Sequence, residues 1–205
     1  MTDPVRPLFL TLEGGDGVGK STQQRLLAQW FREAGREVIE TREPGGTALG
    51  KELRRLILHG DHVDPRAEAL MYAADRAHHI ASVVRPALER GAVVVQDRYL
   101  DSSVAYQGAA RALGVDEVRD LSVWATRGLL PDATILLDLD PQRARLSGQR
   151  DRLEREGSEF HEAVRERFLA MAEQEPERWI VVDAAGTPEG VQAAIRAALT
   201  ERGLA

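Results

Sequence analysis

One stretch near the start of the chain constrains its fold more than any other, because residues 14–21 read G-x-x-x-x-G-K-S. An apolar run at residues 8–12 precedes it and predicts a buried strand, and periodic apolar positions at residues 21–33 predict a helix after it. A strand, a glycine-rich loop and a helix in this order are the context of a phosphate-binding P-loop. The sequence therefore predicts an α/β fold organised around this loop.

The residue types in the loop suit a nucleotide phosphate and its metal ion. Glycines let the backbone turn its N–H groups inward, and the start of the helix adds partial positive charge. Lys20 would place its ammonium on the β- and γ-phosphates, and the Ser21 hydroxyl would bind Mg²⁺. We expect nucleotide contacts from Gly14, Gly15, Asp16, Gly17, Val18, Gly19, Lys20, Ser21 and Thr22. A glycine-rich turn without a ligand is the alternative, which the complete strand–loop–helix context disfavours.

Composition limits the class of protein and its partners. The length of 205 residues fits a single domain, residues 1–205, and the formal charge of −6 argues against a nucleic-acid partner. No apolar run approaches the roughly 20 residues of a membrane helix, and the polar first seven residues do not resemble a signal peptide. Cysteine is absent, which excludes disulfides and thiolate metal sites. We expect a cytoplasmic protein that binds neither nucleic acid nor membranes.

Short apolar segments alternate with helical patterns along the rest of the chain, which predicts a parallel sheet covered by helices on both faces. The predicted strands are residues 8–12, 37–42, 92–96, 133–137 and 179–182. The predicted helices are residues 21–33, 48–58, 65–79 with a continuation to 90 around Pro86, 116–126, 159–174 and 188–201. In such a sheet the ligand lies beyond the carboxyl ends of the strands, where the loops after the first three strands fall.

Two charged residues follow the third predicted strand. Asp97 comes directly after a valine-rich run, the Walker-B pattern in which a carboxylate holds Mg²⁺. The alternative is a helix N-cap or a salt bridge, but the presence of a P-loop favours the metal role. Arg98 would contact phosphate in bidentate fashion if it faces the same cleft, and otherwise it is a surface arginine.

A second basic segment, residues 143–158, contains five arginines and two glycines. Such a charge run is usually a solvated helix face. It could also be a mobile lid that closes on the γ-phosphate, stabilises charge in the transition state and excludes water. The arginines are Arg143, Arg145, Arg150, Arg152 and Arg155.

Four stretches together resemble the bacterial thymidylate kinases. They are residues 13–23 (E-G-G-D-G-V-G-K-S-T-Q), 42–47 (R-E-P-G-G-T), 97–99 (D-R-Y) and 102–108 (S-S-V-A-Y-Q-G). Many NTPases share the first stretch, whereas the other three in combination are far more specific. The resemblance implies a P-loop NTPase fold with a five-stranded parallel sheet in a three-layer α/β/α arrangement. It also implies a homodimer that transfers the ATP γ-phosphoryl group to dTMP with Mg²⁺.

The resemblance further implies roles for individual side chains. Asp16 would lie near the acceptor sugar and the metal, while Arg54 and Arg98 would face the acceptor phosphate. Tyr72 would stack on thymine, and Arg76, one helical turn later, would contact the edge of the base. A core tyrosine and a surface arginine are the alternatives for this pair. The remaining substrate-binding positions are Glu43, Ser103, Tyr106 and Gln107.

The P-loop of this chain carries no arginine, since Gly17 occupies the position where some family members have one. The catalytic arginine is therefore expected from the lid, from Arg150 or Arg152. The lid pattern of the family is followed loosely, because Ser147 stands where an arginine is expected. The expected catalytic residues are Lys20, Asp16, Arg98, Arg150 and Arg152.

Two other functions remain compatible with the sequence. One is another nucleoside or nucleotide kinase, which the turn at residues 42–47 disfavours. The other is a nucleotide-driven switch that hydrolyses ATP; a GTPase version is disfavoured because the chain has no asparagine for an Asn-Lys-x-Asp motif. Whether nucleotide turnover requires a monophosphate acceptor distinguishes kinase from switch.

Overall fold

The structure is a computed structural model that describes residues 6–144 and 151–205. Its centre is a five-stranded sheet with the order β2-β3-β1-β4-β5, in which every neighbouring pair is parallel. The strands are β1 (Leu8–Glu13), β2 (Val38–Arg42), β3 (Val93–Asp97), β4 (Ala133–Asp138) and β5 (Trp179–Asp183). Each strand agrees with its prediction to within one residue at either end, and the predicted fold class is confirmed.

Helices connect the strands and cover both faces of the sheet. They are α1 (Lys20–Glu33), α2 (Ala48–His59), α3 (Pro65–His79), α4 (Arg85–Glu89), α5 (Leu100–Ser103), α6 (Val115–Thr126), α7 (Ser158–Gln174) and α8 (Pro188–Glu201). Two π-helical segments, Ile80–Val84 and Val104–Ala110, and a 3-10 turn, Pro141–Arg143, complete them. No helix in the described ranges is both long and apolar enough to cross a membrane.

Alternate residues of each strand point to opposite faces of the sheet, so the core has two sides. On one side Leu10 and Leu12 of β1 pack with Leu27 of α1 and Ile195 of α8. On the other side the buried clusters contain strand residues such as Phe9 together with residues of α2, α4, α5 and α7. This layering leaves the carboxyl ends of the strands, and the loops that follow them, open for a ligand.

The helix predicted to continue past residue 79 does so through a local change of geometry. α3 passes into the π segment Ile80–Val84 and then into α4, whose first turn contains Pro86. Because proline has no N–H to donate, a regular helix cannot keep its ladder there, and a π turn accommodates the break.

The sequence patterns missed the helical segment that follows β3. Residues 100–110 form α5 and the second π segment, and residues 100–108 are all buried. A helix buried on every side has no polar face, so it lacks the amphipathic periodicity that sequence patterns detect.

Candidate active site

The P-loop lies between β1 and α1 and packs closely on β4. Gly14 has a φ of 133°, and a β-carbon added there would lie 2.6 Å from the carbonyl oxygen of Leu137. Gly19 has a φ of 98° where the loop enters α1. Both positions therefore favour glycine, and together they set the path of the loop.

Lys20 is the buried cation of this loop. Its Nζ donates to the carbonyl oxygens of Gly14, at 3.1 Å, and Gly15. Burial and the nearby Arg98 lower the pKa of Lys20 to about 8, although Asp97 opposes this change. The ammonium is therefore held inside the loop, where phosphate oxygens would meet it.

Ser21 and Asp97 form a pair of oxygen groups beside the loop. Asp97 ends β3, the neighbour of β1, and its Oδ2 accepts a hydrogen bond of 3.0 Å from the Ser21 hydroxyl. Its other oxygen, Oδ1, is buried and has no hydrogen-bond partner among the described residues. Buried carboxylate oxygens normally have partners, and a hard oxygen left over beside a hydroxyl suits a divalent cation.

Two connected cavities occupy this edge of the sheet. The first, here called the loop pocket, has an open volume of about 1100 Å³ and is bordered by the P-loop, Arg42 and Asp97. The second, the inner pocket, has an open volume of about 580 Å³ and lies deeper, between α2, α3 and the residues after β3. Five residues border both pockets and mark their junction: Asp16, Glu43, Arg54, Arg98 and Glu154.

The inner pocket brings together every side chain that the sequence assigned to substrate binding. These residues come from five separate parts of the chain. They are Asp16, Glu43, Arg54, Tyr72, Arg76, Arg98, Ser103, Tyr106 and Gln107.

Arg98 spans the junction of the two pockets. Its backbone adopts a left-handed conformation, with a φ of 65°, which is uncommon for a residue with a side chain. Nη1 donates to the Gly14 carbonyl at 3.1 Å and to Ser102 Oγ at 3.0 Å. Nη2 donates to Asp16 Oδ1 and to the Tyr106 hydroxyl, and that hydroxyl donates to Asp16 Oδ2 at 3.0 Å. The guanidinium is therefore fixed between the P-loop and the helical segment after β3.

Asp16 is ionised as a result of these neighbours. Burial alone would raise its pKa, but the charges of Arg98 and Lys20 lower the pKa to about 2. The junction thus holds a carboxylate and two cations in one partly buried cluster.

Arg76 lies at the closed end of the inner pocket, where its side chain is 2% exposed. Its Nε donates to Glu43 at 2.8 Å, and its Nη1 donates to Ser122 at 3.1 Å. Nη2 donates to the Tyr99 carbonyl and to Ser103 Oγ. A guanidinium has five N–H groups, so these contacts with described residues account for four and leave one, on Nη1.

Glu43 and Glu13 each hold neighbouring residues of the inner pocket in place, a structural role that the sequence did not predict for either. Glu43, through its second oxygen, contacts His79 Nδ1 at 2.9 Å, and His79 Nε2 contacts Thr41 Oγ1 at 2.6 Å. Glu13, at the end of β1, accepts from the backbone N–H of Tyr99 at 2.7 Å and from the Ser102 hydroxyl at 2.6 Å. Burial, reinforced by the nearby Asp101, raises the pKa of Glu13.

Tyr72 and Arg54, both predicted to bind substrate, also line the inner pocket. Tyr72 is half-buried, and burial raises the pKa of its phenol, so the ring stays neutral. Arg54 donates from Nη1 to the Pro44 carbonyl at 3.2 Å, which holds it against the turn after β2.

Arg152, one of the two arginines predicted to reach the transferring phosphate, has partners in α2 and α3 in this structure. Its Nη2 binds Glu68 of α3, and its Nε donates to the Ile57 carbonyl at 2.9 Å. Arg152 is absent from the described residues that border either pocket. The physical reason is that Glu68 is fully buried, and a buried carboxylate strongly favours a cationic partner. Arg150, the other candidate, lies outside the described residues.

Comparisons with known proteins identify the relatives of the chain. A family model described as thymidylate kinase matches residues 12–195. The thymidylate kinase of Clavibacter sepedonicus is 63% identical over 196 residues, which cover 93% of each chain. The thymidylate kinase of Leifsonia xyli subsp. xyli is 64% identical over 202 residues, which cover 95% of each chain. A solved thymidylate kinase structure from Ehrlichia chaffeensis has a TM-score of 0.79 and 30% identity, covering 94% of this chain and 98% of that one.

Proposed function

The chain belongs to the thymidylate kinase family, and we propose that it binds its two substrates in the pockets that meet at Asp16 and Arg98. Its reaction is the transfer of the γ-phosphoryl group from ATP to dTMP, which gives dTDP and ADP. The observation that carries the site assignment is the junction itself. The loop pocket and the inner pocket share part of their lining, and Arg98 and Asp16 lie between them.

The loop pocket is proposed as the ATP site. Loop N–H groups would bind the phosphate oxygens, and Lys20 would exchange its carbonyl partners for the β- and γ-phosphates. Phosphoryl transfer needs little covalent chemistry from a protein, so catalysis consists mainly of positioning and charge stabilisation. Lys20 and Arg98 supply that charge on the two sides of Asp16.

Ser21 and Asp97 are proposed to hold the Mg²⁺ ion that accompanies ATP. The unpartnered Asp97 Oδ1 and the neighbouring hydroxyl fit a cation that prefers oxygen ligands. When bound, the ion would supply positive charge that offsets the negative charge of the phosphate oxygens during transfer. Within the described ranges, no cluster of three or more His, Cys or acidic residues could hold a metal alone.

The inner pocket is proposed as the dTMP site. Arg98, with Arg54, would face the 5′-phosphate at the junction, and Tyr72 would stack on the base. Arg76 has one N–H not used by described residues, and a donor suits the O4 carbonyl of thymine. Cytosine carries an amino group at that place, so two donors would oppose each other.

A panel of acceptors tests this function. With ATP and Mg²⁺, ADP release should be fastest with dTMP and slower by several powers of ten with dCMP, dGMP and dAMP, because mismatched buried donors stay unpaired. dUMP lacks only a methyl group and should be disfavoured by about 10- to 200-fold. Thymidine should fail because Arg98 loses its phosphate partner. Equal rates with dCMP and dTMP would reject the assignment of Arg76, and acceptor-independent ADP release would identify an ATP-hydrolysing switch.

We also propose that the chain is a single domain, residues 1–205, with residues 143–158 as its lid, and that it acts as a homodimer in the cytoplasm. Large apolar side chains are exposed on α2, α3 and α6, which pack side by side. Trp124 is 77% exposed and Leu70 is 58% exposed, and the other two are Leu49 and Leu56. Such side chains on one set of neighbouring helices suit a self-complementary interface.

Light scattering on the purified chain tests the dimer. The wild type should have twice the mass of one chain, and Leu70→Glu combined with Trp124→Glu should have the mass of one. Val181→Glu is a matched control, because Val181 is 51% exposed on β5, away from these helices. A monomeric wild type would contradict the proposal, as would dissociation caused by Val181→Glu alone.

A further inference from the structure

Glu68 is a fully buried acid beside the inner pocket that no step described so far uses. It lies in the first turn of α3, one helical turn before Tyr72, and its side chain is 0% exposed. Oε1 accepts a hydrogen bond of 2.8 Å from Gln107 Nε2, and Oε2 binds Arg152 Nη2. Arg111 Nε lies 3.9 Å from Oε1. One carboxylate therefore joins three segments that are distant in sequence.

The contact with Gln107 determines which way its amide points. An ionised carboxylate only accepts hydrogen bonds, so Gln107 must turn its NH₂ group toward Glu68. Its amide oxygen is then the atom left for the inner pocket, which Gln107 lines. A pocket lined by this acceptor and by the one unused N–H of Arg76 matches thymine, which presents a donor, N3–H, next to the O4 acceptor. Cytosine presents an acceptor and an amino donor at the same positions and conflicts with both.

The contact with Arg152 fixes a turn at the mouth of the same pocket. The backbone N–H of Arg152 donates to the Leu58 carbonyl at 3.1 Å, at the end of α2. Asp151 closes the turn, because its Oδ1 accepts from the backbone N–H groups of Leu153 and Glu154 at 2.9 Å. Asp151, Leu153 and Glu154 all line the inner pocket. Glu68 thus binds the far side of the turn that borders the base site.

We propose that Glu68 is a positioning residue that sets base specificity by orienting Gln107 and couples this orientation to the docking of the turn at residues 151–154. This inference rests on the proposed assignment of the inner pocket to dTMP. Losing Arg152 would free one oxygen of Glu68 and loosen its hold on Gln107. Losing the charge of Glu68 would let Gln107 reverse its amide.

Glu68→Gln tests the inference, with kcat and KM measured for both dTMP and dCMP. Glutamine has one acceptor, which the Arg152 guanidinium would take, so the new NH₂ group would face Gln107 and turn its amide around. The specificity for dTMP over dCMP, as a ratio of kcat/KM values, should fall by about tenfold or more, mainly through a higher KM for dTMP. Asp101→Asn is the matched control, since Asp101 is another fully buried acid that pairs with an arginine, Arg178. It should lower thermal stability and leave the ratio unchanged.

Arg152→Met provides a second test that does not depend on the folding of the first variant. Its side chain is 17% exposed, and Arg111 remains near Glu68 to balance the buried charge, so the fold should persist and the same ratio should fall in the same direction. In the variant that combines Glu68→Gln with Arg152→Met, the specificity ratio should fall by less than the two single effects predict together, because both substitutions remove the same contact. An unchanged ratio in Arg152→Met, or in a folded Glu68→Gln, would overturn the inference.

Gln107→Leu separates this inference from the function on which it rests. If Gln107→Leu lowers the ratio and Glu68→Gln does not, Gln107 contacts the base but Glu68 does not position it. If Gln107→Leu leaves the ratio unchanged, the base contact assigned to Gln107 is itself wrong.

Discussion

The loop pocket and the inner pocket differ in how the chain builds them. The loop pocket takes half of its lining residues from the contiguous P-loop, whose backbone N–H groups are proposed to bind phosphate. The inner pocket takes side chains from separate segments, with Tyr72 on α3, Arg98 after β3 and Gln107 in the second π segment. A site made by local backbone depends on spacing in the sequence, whereas a site made by distant side chains depends on the whole fold.

The largest expected effect tests the contiguous site. Lys20→Ala should reduce turnover by about 10³-fold or more with the fold retained, because Lys20 would supply charge at the transferring phosphates and its ammonium contacts carbonyl oxygens of the P-loop. Asp97→Ala should have a comparable effect through the metal. Both are measured as ADP release at saturating ATP, Mg²⁺ and dTMP.

Lys51→Ala is the matched control, since Lys51 is the other lysine of the chain and is exposed on α2. Its turnover should equal that of the wild type. Near-normal turnover in Lys20→Ala, with circular dichroism unchanged, would show that the loop pocket is not the site of transfer.

A smaller effect on the kinetic constants should distinguish Arg150 from Arg152, the two lid arginines for which the sequence predicts the same role. Arg150→Ala should lower kcat by about 10²-fold with a smaller change in the KM for dTMP, the pattern of a contact made mainly in the transition state. Arg152→Ala should instead raise the KM for dTMP, because Arg152 is tied to Glu68 at the inner pocket. Kinetics of single alanine variants provide the measurement.

The same scan, extended to Arg143, Arg145 and Arg155, supplies its own controls. Alanine at any of these three positions should change kcat and the KM for dTMP only slightly. Equal, small effects at all five positions would mean that the segment is a solvated face and that its arginines do not act in catalysis.

The fold was predictable because its strands are apolar runs bounded by charged or glycine-rich turns, which locate each strand to within one residue. The segment at residues 100–110 was not, because burial on all sides removes the polar face from its pattern. This segment carries Ser103, Tyr106 and Gln107, three of the residues that line the inner pocket.

The residues of the candidate site also differ in how far the sequence predicts them. Lys20, Ser21 and Asp97 follow from motif spacing, whereas Tyr72 and Gln107 were identified only through resemblance to a family. Neither Glu68 nor Glu13 was identified from the sequence. Glu68 binds Arg152, which is 84 residues away, and Glu13 binds Ser102, which is 89 residues away. Pairings at such separations come from tertiary packing, and no local pattern encodes them.

The smallest expected effect compares the response of the two pockets to pH. Burial and Arg98 lower the pKa of Lys20 to about 8, so the ammonium loses its proton as the pH rises through that value. At the inner pocket, Asp16 has a pKa lowered to about 2, and burial raises the pKa of Tyr72 and Tyr106 to well above neutral pH, so these three groups keep their charge state between pH ~7 and ~9. At high pH, kcat/KM for ATP and kcat/KM for dTMP should therefore depend on pH differently.

We expect kcat/KM for ATP, measured at saturating dTMP, to fall by up to about tenfold between pH ~7 and ~9, because one unit above its pKa about a tenth of a group stays protonated. kcat/KM for dTMP at saturating ATP should stay nearly flat, since bound phosphates favour the charged form of Lys20 and hold it protonated to higher pH. In Lys20→Ala the residual activity should lose the basic limb for ATP. Parallel falls for both substrates, or a limb that persists in Lys20→Ala, would assign the titration to another group and remove the predicted contrast between the pockets.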